Sequence, residues 1–323
     1  MYHGRESGKG PVVGRPEILK ERPDVSDIWD AANAAFPVVV TRSWWERTTS
    51  AVDDPLARQV LPDRRELDTD PTDRADPVGD AACSPVPWVV HKYPNRVLLL
   101  VTKRCHLYCR YCFRRNHVPS DRQDPSEEEW ETALAYVESS GAQEVILSGG
   151  DPLAVRDDKL FATMDRLRTH VPTVRIHTRA PITRPDRVTP GLVAGLAKRQ
   201  PVWVVVHVNH PRELSTEVDQ ALARMVDAGI PVLNQSVLLR GVNDDPSILA
   251  TLFTALVSRR VFPYYLHHPD HAAGNAHFRV GLDEGRQIVA ELRGRVSGLA
   301  MPRYVLDEPE GTGKRDIPPR DAE

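Results

Sequence analysis

From residue 97 to residue 267 the chain alternates short apolar runs with longer amphipathic segments, and this rhythm limits its possible folds more than any other feature. The runs occupy 97–102, 144–148, 173–178, 202–208, 231–239 and 261–267, are rich in Val, Ile and Leu, and have the length and composition of buried strands. Between them, 126–139, 157–170, 189–198, 215–228 and 247–258 carry helical periodicity, and Ser126 followed by Glu129 is a helix-start signal. Strand and helix in strict alternation are the pattern of βα units that build a parallel sheet. An α/β fold is therefore expected, and six units are too few for a closed eight-stranded barrel. No internal repeat accompanies the alternation, which argues against a solenoid.

In a parallel barrel the loops after the strands form the active face, and the polar residues of this chain gather there. The first run leads into Cys105-His-Leu-Tyr-Cys109-Arg-Tyr-Cys112. Three thiolates on so short a loop can hold three corners of a cubane iron–sulfur cluster and leave one iron open to a ligand. A zinc site would need a fourth ligand, for which His106 or His117 is available, and a ferredoxin-like carrier would need a fourth thiolate. Ser148-Gly-Gly-Asp151 follows the second run, Thr178-Arg179 the third and His207-Val-Asn-His210 the fourth. Asn234-Gln-Ser236 lies within the fifth, and His267-His-Pro-Asp270 ends the sixth. Gly149 and Gly150 either admit a ligand close to the backbone or simply make a tight turn.

Composition narrows the class. At 323 residues, with 41% hydrophobic and 27% charged side chains, the chain reads as a globular protein with a substantial core. A net charge of -3 argues against nucleic acid or an anionic membrane as partner. The start of the chain lacks a signal-peptide core and no run approaches the ~20 apolar residues of a membrane span, so a cytoplasmic location is expected. Of four cysteines, Cys83 alone lies outside the loop, which suits a reducing compartment. Residues 1–90 are expected to form a helical and irregular extension. A helix is read over 24–36, with Ile28, Ala32 and Ala35 on its inner face and Pro37 ending it. Residues 63–80 are expected to be an irregular wrap outside the core.

The spacing C-x3-C-x2-C resembles that of radical S-adenosylmethionine (SAM) proteins, which implies a partial (β/α)6 TIM-like barrel over 91–300 with a 4Fe-4S cluster on Cys105, Cys109 and Cys112. That resemblance also implies SAM contacts from Ser148, Gly149, Gly150 and Asp151, and from Tyr111 against the adenine. Three further stretches, HVNHPRE at 207–213, NQSVLLRGVN at 234–243, and PYYL at 263–266 with GNAHFR at 274–279, are similar to the lysine 2,3-aminomutase family. The similarity runs from Asp54 to Lys314. It implies pyridoxal 5'-phosphate (PLP) held by Lys314 in a glycine-containing segment over 301–323, with Lys92 and Arg96 on the phosphate side. The family has a longer glycine run and a proline two residues after its lysine, whereas this chain has Thr312 and Asp316. His207, Asn209 and Gln235 are expected to line the cofactor cavity. Arg114, assisted by Arg115, would hold a substrate carboxylate, and Asp270 with Asp307 would face the distal ammonium of lysine. The function so implied is conversion of L-lysine to β-lysine by radical-initiated amino migration, with a flavodoxin or ferredoxin as electron donor and a homo-oligomer left open. Arginine as substrate is the alternative. The chain ends soon after Lys314, as in the branch whose β-lysine modifies a translation elongation factor. A non-catalytic cluster or zinc scaffold is the rival class.

Overall fold

Each apolar run does become a strand, because its alternate residues meet the helices behind the sheet. In the computed structural model, which describes residues 11–116, 122–309 and 313–318, nine strands form one sheet in the order β1 to β9. The central strands are β2 (Arg96–Thr102), β3 (Glu144–Gly149), β4 (Thr173–His177), β5 (Val202–His207), β6 (Val232–Val237) and β7 (Phe262–His267). They pair in parallel with their neighbours, and β8 (Arg303–Asp307) extends the parallel set. At the edges β1 (Val89–Tyr93) and β9 (Lys314–Asp316) are antiparallel to β2 and β8. The sequence pattern showed the six central strands and missed β1, β8 and β9.

The crossovers are α4 (Glu127–Ser139), α5 (Asp157–Leu167), α7 (Pro190–Ala197), α8 (Thr216–Asp227), α9 (Pro246–Ser258) and α10 (Leu282–Arg293), with a short α6 (Ala180–Thr183) after β4. Ser126 caps α4 in a full capping box with Glu129. The core lies between these helices and the outer face of the sheet. There Val97, Leu99 and Val101 of β2, Val145 and Leu147 of β3, and Val204 and Val206 of β5 are buried against Leu134, Leu160, Met164 and Leu222. The opposite face of the same strands curls around a cavity. The two edges of the sheet meet there: the Lys314 backbone N–H donates to Tyr93 Oη at 2.6 Å, and Lys92 Nζ donates to the Glu308 carbonyl at 2.9 Å.

Residues before β1 pack into the same core as the sheet. They carry α1 (Arg15–Glu21), α2 (Trp29–Ala35) and α3 (Arg42–Trp45), and Ile18, Trp44, Leu56 and Val60 join the main core. The helix read over 24–36 shortens to α2 behind a 3-10 turn, Pro23–Val25. Ile28 and Ala32 are buried as expected, but Ala35 is exposed and Phe36 takes the inner position, because the backbone becomes extended there before Pro37. Much of the 63–80 wrap is exposed, yet Glu66 within it is buried. Among the described residues no helix is long and apolar enough to cross a membrane.

Candidate active site

The inner face of the sheet and the loops after its strands enclose a cavity of about 610 Å3, within the range of small-molecule sites. Cys105, Cys109 and Cys112 all line it. Burial pushes the Cys105 thiol well above its usual range, and burial with the nearby Cys109 pushes Cys112 up to about 12. Thiols so disfavoured as free anions suit ligation to iron, whose positive charge replaces the lost solvation. Among the described residues no three His, Cys, Asp or Glu converge as a single metal ion would require. A cubane takes one thiolate per iron and needs no such convergence. Of the two histidines read as zinc ligands, His106 sits with Nε2 3.3 Å from the Leu153 carbonyl, and His117 lies outside the described residues.

The thiol loop is braced from behind by the chain before β1. Tyr108 N–H donates to the Val39 carbonyl at 3.0 Å and Arg110 N–H to the Gln59 carbonyl at 2.8 Å. The fully buried Arg110 guanidinium bonds both Glu66 oxygens and the Phe36 carbonyl. Arg115 reaches the same Glu66 and the Gly274 carbonyl, at 2.8 and 2.7 Å. It is therefore a brace and does not line the cavity, contrary to the expected role beside a substrate carboxylate.

Ser148, Gly149, Gly150 and Asp151 line the cavity at the end of β3. The glycines serve the fold before any ligand. A Cβ at Gly149 would stand 2.2 Å from the Thr102 carbonyl oxygen, and one at Gly150 2.2 Å from that of Arg104. The loop after β2 thus lies directly on them. Asp151 accepts from Leu153 N–H and Thr178 Oγ1 on one oxygen and from Arg179 and Ala180 N–H on the other, at 2.7 to 3.0 Å. With both oxygens so engaged, it pins the loop after β4 to that after β3.

Tyr111 lies on the wall with its ring stacked on His207, centroids 5.7 Å apart, and its hydroxyl 2.9 Å from His207 Nε2. Burial, reinforced by the positive charge of Arg179, keeps His207 neutral. Gln235, beside His207 in the β5–β6 register, also lines the cavity. Asn209 does not. Its side chain donates to Gln59 Oε1 and accepts from Val237 N–H, at 3.1 and 2.9 Å, fastening β5 to β6 from outside. Several of the conspicuous polar residues in the rim stretches do similar work: Asn243 bonds the Leu239 N–H and the Val237 and Asn209 carbonyls, and Asn275 bonds the Asp270 carbonyl.

Lys314 also lines the cavity, with its Nζ 2.5 Å from Asp307 Oδ2. Burial alone would raise the Asp307 carboxyl, but the charge and hydrogen bond of Lys314 outweigh it and hold the acid below its usual range. Asp270 differs. Shielding in the wall and repulsion from Asp307 push it up to about 7. Lys92 and Arg96 flank the same end, Lys92 with its ammonium on the Val78 and Glu308 carbonyls and Arg96 with its guanidinium 3.5 Å from the Tyr93 ring centroid. Arg114 points into the cavity, its fork oriented by Asp80 at 2.9 and 2.6 Å.

Sequence reasoning placed Arg179 on the rim without giving it a role, and did not find Asp80 or His177. His177 shares the inward face of β4 with Arg175, the two alternating with buried Val174 and Ile176, and burial and the neighbouring Arg175 keep it neutral. The period-2 pattern of β4 carried that signal. Asp80 sits in irregular chain and meets Arg114 only through the tertiary fold.

A model of the radical SAM superfamily matches residues 99–251. An L-lysine 2,3-aminomutase from Escherichia coli is 42% identical over 282 residues, 86% of this chain and 82% of that protein. An L-lysine 2,3-aminomutase from Acetoanaerobium sticklandii is also 42% identical, over 82% of this chain, and the matched part spans 65% of its length. A glutamate 2,3-aminomutase from Clostridioides difficile is 34% identical over 83% of this chain and 64% of its own.

Proposed function

Since the chain belongs to the L-lysine 2,3-aminomutase family of radical SAM proteins, we propose that it is an isomerase that moves the α-amino group of L-lysine to the β-carbon. What carries this reading is that one cavity is lined by three thiols at cluster spacing, by the Lys314 amine and by the acid pair Asp270 and Asp307. When bound, a 4Fe-4S cluster with SAM supplies a radical that removes and returns a hydrogen, and PLP supports the nitrogen shift.

The residues of the chain hold and align the reactants. Cys105, Cys109 and Cys112 would carry the cluster, and Tyr111 with His207 offers a flat aromatic wall beside it. Lys314 would hold PLP covalently, with Arg96 and Lys92 as positive charges near its phosphate. Arg114, its fork set by Asp80, matches a carboxylate in bidentate fashion. Asp270 and Asp307 face an ammonium. A buried ammonium is costly unless paired, so this end of the cavity favours lysine and disfavours glutamate, whose side-chain carboxylate would meet two acids.

The test is anaerobic incubation of reconstituted protein with dithionite, SAM, PLP and, separately, lysine, arginine and glutamate, followed by chromatography with mass detection. β-Lysine is the expected product. Turnover of glutamate or arginine in preference to lysine would overturn the substrate, and no product from protein that carries both iron and PLP would overturn the reaction.

A further inference from the structure

Arg179 follows β4 on the rim, where neither the sequence nor the family resemblance gave it a role, yet its guanidinium ends on a sulfur. Nη1 donates to Cys109 Sγ at 2.8 Å. Behind that contact the group is clamped: Nη2 donates to Gln59 Oε1 at 2.7 Å and to Glu213 Oε2 at 3.1 Å, and the Trp44 ring lies 4.6 Å away on one face. The residue is 8% exposed. Gln59 and Glu213 are themselves fixed, Gln59 Nε2 donating to Glu213 Oε1, which also accepts from the Asn209 and His210 N–H groups. A side chain that only glued the thiol loop to the barrel would not need a cation aimed at the sulfur.

We propose that Arg179 is a positioning residue for the electron-accepting step, one that raises the reduction potential of the cluster by donating to the Cys109 sulfur. This rests on the reading above that the three thiols carry a cluster. Reduction adds one electron from an external low-potential donor, with no bond made or broken and no proton moved, since arginine stays protonated. The added negative charge spreads over irons, sulfides and thiolates. A hydrogen bond from a cation to one of those sulfurs stabilises the reduced form more than the oxidised one, and hydrogen bonding to the sulfurs is a recognised determinant of cluster potential. Low local dielectric and a pre-fixed guanidinium strengthen the effect, because nothing must reorganise when the charge arrives.

The experiment is a spectroscopic redox titration of the whole chain, reconstituted anaerobically with iron and sulfide and compared only at full iron content. Arg179→Gln should move the midpoint to a more negative value by about 59 mV or more, the one-electron equivalent of a tenfold loss of preference for the reduced form. Arg179→Lys, which keeps the charge and loses the fork, should fall between. Gln59→Met, which loosens the clamp and leaves the Nη1–sulfur contact, should move it much less. Unchanged midpoints in both Arg179 variants would overturn the proposal, and so would an equal shift in Gln59→Met. Failure of both Arg179 variants to take up iron while Gln59→Met is loaded would replace it with a role in cluster assembly. Native protein that takes up no cluster would instead sink the functional reading on which it rests.

Discussion

Two acids on one wall are held in opposite states, and pH should separate them. Asp307 stays charged beside Lys314, while shielding and the charge of Asp307 raise Asp270 to about 7. A substrate ammonium needs Asp270 ionised, so KM for lysine should fall as pH rises from 6 to 8. Asp270→Asn should flatten that profile and raise KM at pH 8, read from initial rates. Stability runs the other way. The folded value lies above that of an unfolded aspartate, so the contribution of Asp270 to stability is complete below about pH 4 and is lost as pH rises through 7. Asp270→Asn, which cannot ionise, should therefore gain more melting temperature relative to the native chain at pH 8 than at pH 5. The thiols were legible in the sequence through their spacing, whereas Lys314, Asp270 and Asp307 stood out only through the family resemblance, since a lone lysine or aspartate carries no pattern of its own; all of them line the cavity. Asn209 misled for a physical reason. It lies two residues after His207, which would put both on one face of a strand, but β5 ends at His207 and the alternation ends with it.

At the scale of elements, the hairpin of β8 and β9 delivers Lys314, and Gly313 makes the delivery possible. Its φ of +114° is one that L side chains rarely adopt, and a Cβ there would stand 2.0 Å from Tyr93 Oη. Gly313→Ala should weaken PLP uptake by about tenfold or more, since backbone strain of this kind costs roughly 1–3 kcal/mol even before the clash. Borohydride trapping of PLP on Lys314, followed by peptide mass analysis, measures it; undiminished trapping would count against the geometry. The central strands could be read from their apolar runs because helices cover one whole face. The edge strands could not. Val89–Tyr93 offers only two buried valines before His, Lys and Tyr, and Lys314–Asp316 is exposed throughout, so neither shows an apolar run of strand length. Helix α10 was missed although Ile288, Val289 and Leu292 keep the spacing, because Gly285 interrupts it.

Over the whole molecule, the segment before β1 is a brace for the thiol loop. Glu66 takes hydrogen bonds from both Arg110 and Arg115, and all three side chains are at most 4% exposed. Glu66→Ala would leave two guanidinium groups without their common anion, and breaking a buried pair in this way costs about 3–5 kcal/mol. Urea unfolding should show that loss together with poorer iron retention. Stability retained in full would mean that the brace is dispensable. Nothing in the sequence pointed to this, because an acid in a Pro- and Asp-rich stretch looks solvated until the chain returns to cover it. The meeting of the two sheet edges has a last consequence. Most staves of this cylinder are zipped by ladders, but Tyr93 to Lys314 and Lys92 to Glu308 are single buttons. In hydrogen exchange, amides of β9 should open at least about tenfold faster than those of β3 to β5. A wall fastened this way parts at its buttons first, and a guest too large for the rim would enter beside the very amine that is to hold it.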